Sequence, residues 1–169
     1  MISEKLIKEL NEQIKFEFFS ANFYLAMAAY CDNEDLPGFA NFFKVQAEEE
    51  KFHAMKFYEY IVERGGRVTI PALDGPGNEF SSMLDVFEKG LAHENFVTKR
   101  IYGLMDLATE EKEHATISFL KWFIDEQVEE EATFGALVKK LKRIEENSNA
   151  MYMLDTELAA RVFTPPTNA

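Results

Sequence analysis

Glutamate and histidine residues interrupt the apolar faces of four segments of this chain. Within each segment, hydrophobic residues recur every three or four positions, which places them on one face of an α-helix. The interruptions in these faces are Glu17, Glu50 with His53, Glu94, and Glu130. A buried carboxylate without a partner costs several kcal/mol or becomes protonated. Bound cations would stabilise all of these carboxylates together, so the pattern predicts a metal site buried among four helices.

The spacing Glu50-x-x-His53 places a carboxylate and an imidazole on one side of a helix, close enough to share a metal ion. With Glu17, this pair forms a predicted first site. Glu94, Glu130 and a bridging Glu50 form a predicted second site that is lined by oxygen ligands. Glutamates from two helices together with Glu-x-x-His are typical of di-iron carboxylate proteins. Oxygen-rich ligation with one histidine suits iron or manganese better than structural zinc.

Long helices must position these residues. We expect four long helices and a short fifth, at about residues 3–31, 36–64, 82–109, 113–146 and 149–162. Ser3 and either Ser81 or Ser82 suit helix starts, and Gly65–Gly66 suits a helix end. Residues 65–81 are rich in glycine and proline, which predicts a long extended crossover. The expected fold is an all-α four-helix bundle with a single long connection.

The two hairpins of this bundle are related by an internal repeat. A shift along the chain superposes Glu17 on Glu94, and Glu50-x-x-His53 on Gln127-x-x-Glu130. The polar interruptions therefore lie at equivalent heights but differ in chemistry. One predicted site has an imidazole, and the other has oxygen ligands with a neutral amide nearby. An unequal pair suits a centre that passes metal onward better than one that keeps it.

Bulk properties limit the partners and the location of the chain. Its 169 residues fit one domain, residues 1–169. The net charge of -12 argues against nucleic acid as a partner and favours cations. The N-terminus is charged and amphipathic, so no signal peptide is expected. The sequence has no long apolar run, so no membrane span is expected. With Cys31 as the single cysteine, a cytoplasmic location is expected.

Over essentially its whole length, the chain resembles the bacterial non-haem ferritins. The residues that carry the resemblance are Glu17, Tyr24, Glu50-x-x-His53, Glu94 and the run Glu126-Gln127-x-Glu129-Glu130. The long crossover and the short fifth helix fit as well. The resemblance implies a ferroxidase centre that uses the two predicted sites for iron. It also implies hollow cages of 24 subunits that oxidise Fe(II) with dioxygen or hydrogen peroxide and store a ferric mineral.

The resemblance implies further residue roles. A third iron site would be formed by Glu49, Glu126 and Glu129. Gln127 would lie beside the space for dioxygen, and Tyr24 would be an electron donor. Related bacterioferritins bind haem through a methionine at the position of Phe52, so iron at two to three sites per subunit is expected here and haem is not.

Several expectations and two alternatives remain open at this point. His93 and His114 lie off the apolar faces and are expected at the surface or at an interface. The apolar face of the fifth helix, which includes Met151, Leu154, Leu158 and Val162, is expected to be covered by a contact between subunits. A rubrerythrin-like di-iron peroxidase or oxidase would keep its iron, but the chain lacks a Cys-rich domain and a second ligand histidine. A metal-free structural helical assembly would show shifted carboxyl pKa values and no metal uptake.

Overall fold

Two antiparallel helix hairpins and a short terminal helix make up the protein in the computed structural model, which describes residues 2–144 and 147–166. The helices in this part of the chain are α1 (Glu4–Asn33), α2 (Pro37–Glu63), α3 (Met83–Glu110), α4 (His114–Ile144) and α5 (Ser148–Ala159). The hairpins are α1–α2 and α3–α4, and α5 packs on α2. The predicted all-α fold with one long crossover and a short fifth helix is confirmed.

The expected local signals delimit the long helices. The Ser3 hydroxyl accepts a hydrogen bond from the Leu6 amide at 3.0 Å, and the Ser82 hydroxyl accepts one from the Asp85 amide at the same distance. These bonds satisfy amides that the first turn of a helix leaves without partners. Gly65 has a φ of 74°, which glycine adopts without strain and which ends α2. None of the helices described is long and apolar enough to cross a membrane.

The fifth helix differs from expectation in its end and in what covers it. It ends at Ala159, so Val162 lies beyond the helix and is 74% exposed. Leu154 and Leu158 are buried in the core of their own chain, and so the expected subunit contact is not what covers them. The expected end of the fourth helix, at residue 146, lies outside the described residues.

An unusual cap joins α5 to α2. Leu36 precedes α2 and provides no side-chain cap, but Asp155 of α5 accepts hydrogen bonds from the Gly38 and Phe39 amides at 2.7 and 3.0 Å. The helices approach so closely that a Cβ atom on Gly38 would lie 1.7 Å from the Asp155 carbonyl oxygen. The carboxylate also interacts favourably with the positive end of the helix dipole. This cap fixes the end of α5 against the start of α2.

The hydrophobic core is divided into two clusters along the axis of the bundle. One cluster contains Phe39, Phe43, Phe87 and Phe134, and the other contains residues such as Leu10, Phe57, Ile101 and Phe123. In each long helix, the residues of one cluster lie toward one end and those of the other lie toward the opposite end. The polar interruptions fall between them in sequence. The fold therefore holds a polar layer between two apolar halves.

Candidate metal centre

The polar layer is buried and receives side chains from all four long helices. Its buried members include Gln13, Glu17, Gln46, Glu50, His53, Glu94, Gln127 and Glu130. Each of the five ligands predicted for the first two sites is at most 7% exposed, so none of them is a solvated residue at the edge of the bundle. Burying so many carboxyl groups at one level requires protons, hydrogen-bond donors or cations to compensate their charge.

The predicted first site is assembled. Glu17 from α1 and Glu50 and His53 from α2 each offer one ligand atom, and these atoms lie within 4.8 Å of one another. The His53 Nδ1 atom lies 3.5 Å from Glu50 Oε2. In the part of the chain that the structure describes, this is the one group of three such side chains that meets this distance. Two carboxylates and an imidazole from adjacent helices can hold a single divalent cation.

The electrostatics of this group favour a positive charge between the carboxylates. Burial raises the pKa of Glu17 well above its ordinary value, and the nearby charge of Glu50 raises it further. Burial also raises the pKa of Glu50, with added repulsion from Glu94 and Glu130. Within the described residues, Glu17 Oε2 is buried without a hydrogen-bond donor. A cation would supply the partner that this oxygen lacks and would favour the ionised carboxylates.

The carboxylates predicted for the second site are each held by neutral donors. Glu94 accepts hydrogen bonds from the Tyr24 hydroxyl and, at 3.1 Å, from Gln127 Nε2. Glu130 accepts one from Gln46 Nε2 at 2.8 Å. Burial raises the pKa of Glu130 to about 8, and the charge of Glu94 adds to this effect. Glu50, Glu94 and Glu130 do not form a second group of three with ligand atoms within 4.8 Å in the described chain.

The residues predicted for the third site lie near one another, but their carboxylate oxygens do not converge on one point. Burial raises the pKa of the half-buried Glu126, and the charges of Glu129 and Glu49 raise it further. Glu49 is turned toward Arg161, whose Nη2 atom lies 2.6 Å from Glu49 Oε2. Among the residues described, these three glutamates do not bring their oxygens within 4.8 Å of one another. Their role as a third site stays a prediction.

Two glutamines that the sequence pattern did not single out hold predicted ligands in place. Gln13 Nε2 donates to Glu17 Oε1 at 2.9 Å, and Gln13 in turn accepts a hydrogen bond from Arg100 at 3.1 Å. Gln46 orients Glu130, and its own buried Oε1 atom has no donor in the described residues. Both glutamines lie four residues before a predicted ligand, Glu17 or Glu50, on the same helix face. Buried amides one turn before a ligand are a signal that could have identified them.

Tyr24 lies in an aromatic environment beside the centre. Its ring stacks on Phe43 and Phe134, with centroids 6.1 and 5.7 Å away, and meets the His93 ring edge-on at 5.9 Å. His93, which was expected at the surface or at an interface, is half-buried in its own chain, and its Nε2 atom lies 2.7 Å from the Ser20 hydroxyl. Burial lowers the pKa of His93 to about 4, so the imidazole is neutral near pH 7. His114, by contrast, is exposed, as expected.

Comparisons with known proteins agree with this arrangement. Residues 7–144 match the family model described as "Ferritin-like domain". The chain is 52% identical, over 163 residues, to the bacterial non-heme ferritin of Staphylococcus saprophyticus, covering 96% of this chain and 98% of that protein. The corresponding protein of Staphylococcus aureus strain USA300 is 49% identical with the same coverage.

Solved structures show the same architecture. A closed form of the Archaeoglobus fulgidus ferritin, engineered by site-directed mutagenesis, superposes with a TM-score of 0.96 at 48% identity. That comparison covers 97% of this chain and all of the other. The open pore ferritin from the same archaeon gives a TM-score of 0.95 at 47% identity, covering 96% of this chain and 100% of that chain.

Proposed function

Because the chain belongs to the ferritin family of iron-storage proteins, we propose that it oxidises Fe(II) at the buried centre and deposits the Fe(III) as a mineral inside a cage of identical subunits. The observation that carries the proposal is the convergence of Glu17, Glu50 and His53 on one point in the apolar core. Fe(II) is the substrate of this reaction, and dioxygen or hydrogen peroxide accepts the electrons.

Each predicted ligand has a role in binding the two iron ions. Glu17, Glu50 and His53 hold the first ion, and Glu50 bridges to a second ion that Glu94 and Glu130 also bind. Two-metal sites usually separate their ions by about 3.5–4 Å, which a single bridging carboxylate can span. The ligands must lose their protons to bind. Gln13 and Gln46 orient Glu17 and Glu130, respectively, through hydrogen bonds of 2.9 and 2.8 Å.

Other residues assist oxidation and the removal of the product. We assign the third iron site to Glu49, Glu126 and Glu129, and the oxidant lies beside Gln127. Tyr24 donates an electron to the centre through its contact with Glu94. The proposal includes a homo-oligomeric cage of 24 subunits, a cytoplasmic location, and a centre without haem.

Substitution of the ligands tests the site. Glu50→Ala and His53→Ala should each slow the initial oxidation of Fe(II) by about a hundredfold or more, since even outer groups that orient ligands are worth tenfold to a hundredfold. Glu48→Ala is the matched control, because Glu48 lies on the same helix but is exposed and pairs with Lys51. The measurement is stopped-flow absorbance of Fe(III) formation. Parent rates in both ligand variants would rule out this site.

A second measurement separates storage from the two alternatives. Size-exclusion chromatography of the iron-loaded protein should give a particle that retains far more iron than the two ions per subunit of a catalytic centre. A rubrerythrin-like enzyme would retain only the iron of its centre. A metal-free helical assembly would retain none.

A further inference from the structure

Arg161 connects the segment after α5 to a residue of the proposed third iron site. Its guanidinium Nη2 atom lies 2.6 Å from Glu49 Oε2, and the two side chains are 24% and 25% exposed. A charged pair at this distance and this degree of burial is a strong hydrogen bond as well as an ion pair. The carboxylate that should help to bind iron therefore already has a positively charged partner in the same chain.

The position of this guanidinium is fixed by several other contacts. Asn41 Nδ2 donates to the backbone carbonyls of Leu158 and Arg161 at 3.1 and 2.9 Å. The guanidinium stacks over the Phe42 ring at 4.4 Å, and Nη1 donates to the Phe42 carbonyl at 3.3 Å. Arginine makes such planar contacts with little further loss of freedom. Arg161 is thus a preorganised cation rather than a mobile surface side chain.

The same segment continues along α2 toward the metal centre. Phe163 meets Phe52 with ring centroids 6.1 Å apart, and Phe52 lies beside His53 and Trp122. Between Phe42 and Phe52, this path passes Glu49. The chain that follows α5 therefore lies along the side of α2 that carries Glu49, and Arg161 is the cation that it places there.

We propose that Arg161 is an internal counter-cation of the third site. Arg161 holds Glu49 until Fe(II) displaces the guanidinium, and this competition lowers the affinity of the third site for Fe(II). This inference rests on the proposed function. Iron that binds Glu49 Oε2 must break the Arg161–Glu49 hydrogen bond, and iron that binds either oxygen of Glu49 must approach a fixed positive charge. A third site with lowered affinity releases iron toward the mineral instead of retaining it.

The test is a titration of the metal-free assembled protein with Fe(II) under anaerobic conditions, followed by calorimetry, and repeated with Zn(II), which is not oxidised. In Arg161→Gln, the affinity of the weakest site per subunit should rise about tenfold to a hundredfold, the range expected for loss of one hydrogen bond to a charged group. Lys140→Gln is the matched control. Lys140 forms an ion pair of similar length, 2.7 Å, with Glu157 of α5, but that pair does not include Glu49.

Three further variants make the result decisive. Glu49→Gln should lose the third site, and Arg161→Gln should then have no further effect in the Glu49→Gln background. Arg161→Lys keeps the charge but loses the planar contacts, so the affinity should rise only a few-fold; this variant decides the question if Arg161→Gln does not assemble. Unchanged or weaker third-site binding in the arginine variants would overturn the proposal.

The titration also distinguishes this inference from the proposed function. If the parent protein does not bind metal at Glu17, Glu50 and His53, the proposed function fails. If those residues bind metal but the third site does not respond to Arg161, only the role of Arg161 is wrong.

Discussion

Metal binding at the buried centre should release protons, and Glu130 should make that release depend on pH. Burial raises the pKa of this carboxyl group to about 8. With that pKa, Glu130 holds about 0.9 proton at pH 7 and about 0.25 proton at pH 8.5. A metal ion binds the ionised carboxylate, so this proton must leave. Below about pH 8, the affinity of the second site should therefore rise about tenfold per pH unit through Glu130 alone. Glu17 and Glu50, whose pKa values burial also raises, add to the protons released.

The number of protons can be measured by titrating the metal-free protein with Zn(II) in pairs of buffers that differ in ionisation enthalpy. Glu130→Gln should reduce the release at pH 7 by about one proton per subunit. Glu131→Gln is the matched control. Glu131 is the next residue, half-buried, and accepts a hydrogen bond from the Thr98 hydroxyl at 2.5 Å, but it is not a predicted ligand. If proton release is the same in Glu130→Gln and in the parent protein, or does not fall between pH 7 and 8.5, then Glu130 does not hold the proton that metal binding displaces.

Two stability predictions follow from close contacts in the fold. A Cβ atom on Gly90 would lie 2.4 Å from the buried Phe134 ring, so Gly90→Ala should destabilise the protein by about 1–3 kcal/mol. Gly103→Ala, on the same helix with open space around it, should instead stabilise by about 0.5–1 kcal/mol, and thermal unfolding compares the two. Asp155→Ala should cost about 1–2 kcal/mol because the first amides of α2 lose their cap. Proteolysis after α5 should also be faster in Asp155→Ala. Asp155→Asn keeps a hydrogen-bond acceptor, so its stability should lie between those of the parent protein and Asp155→Ala. Equal stability of all three proteins would contradict the capping role.

Much of the fold could be predicted from local patterns. Helical periodicity, the serine caps and Gly65–Gly66 act over a few residues, and so the four long helices begin and end close to their expected positions. The fifth helix was less predictable because its end depends on contacts with α2. Asn41 binds the backbone carbonyls of Leu158 and Arg161 at the end of α5, and Asp155 of α5 caps the start of α2. In each of these contacts the two residues lie more than 100 positions apart in sequence.

The sequence alone predicted which residues could bind metal, because a carboxylate or an imidazole in the middle of an apolar helix face is informative wherever the helices lie. It identified Glu17, Glu50 and His53, and in the tertiary structure these three side chains lie close together. The surroundings of these residues depend on how the helices pack. Gln46 reaches Glu130 across the bundle, and Arg161 reaches Glu49 from beyond the last helix. Helical periodicity reports which face of a helix is buried, whereas the partner of each buried group depends on how the helices pack.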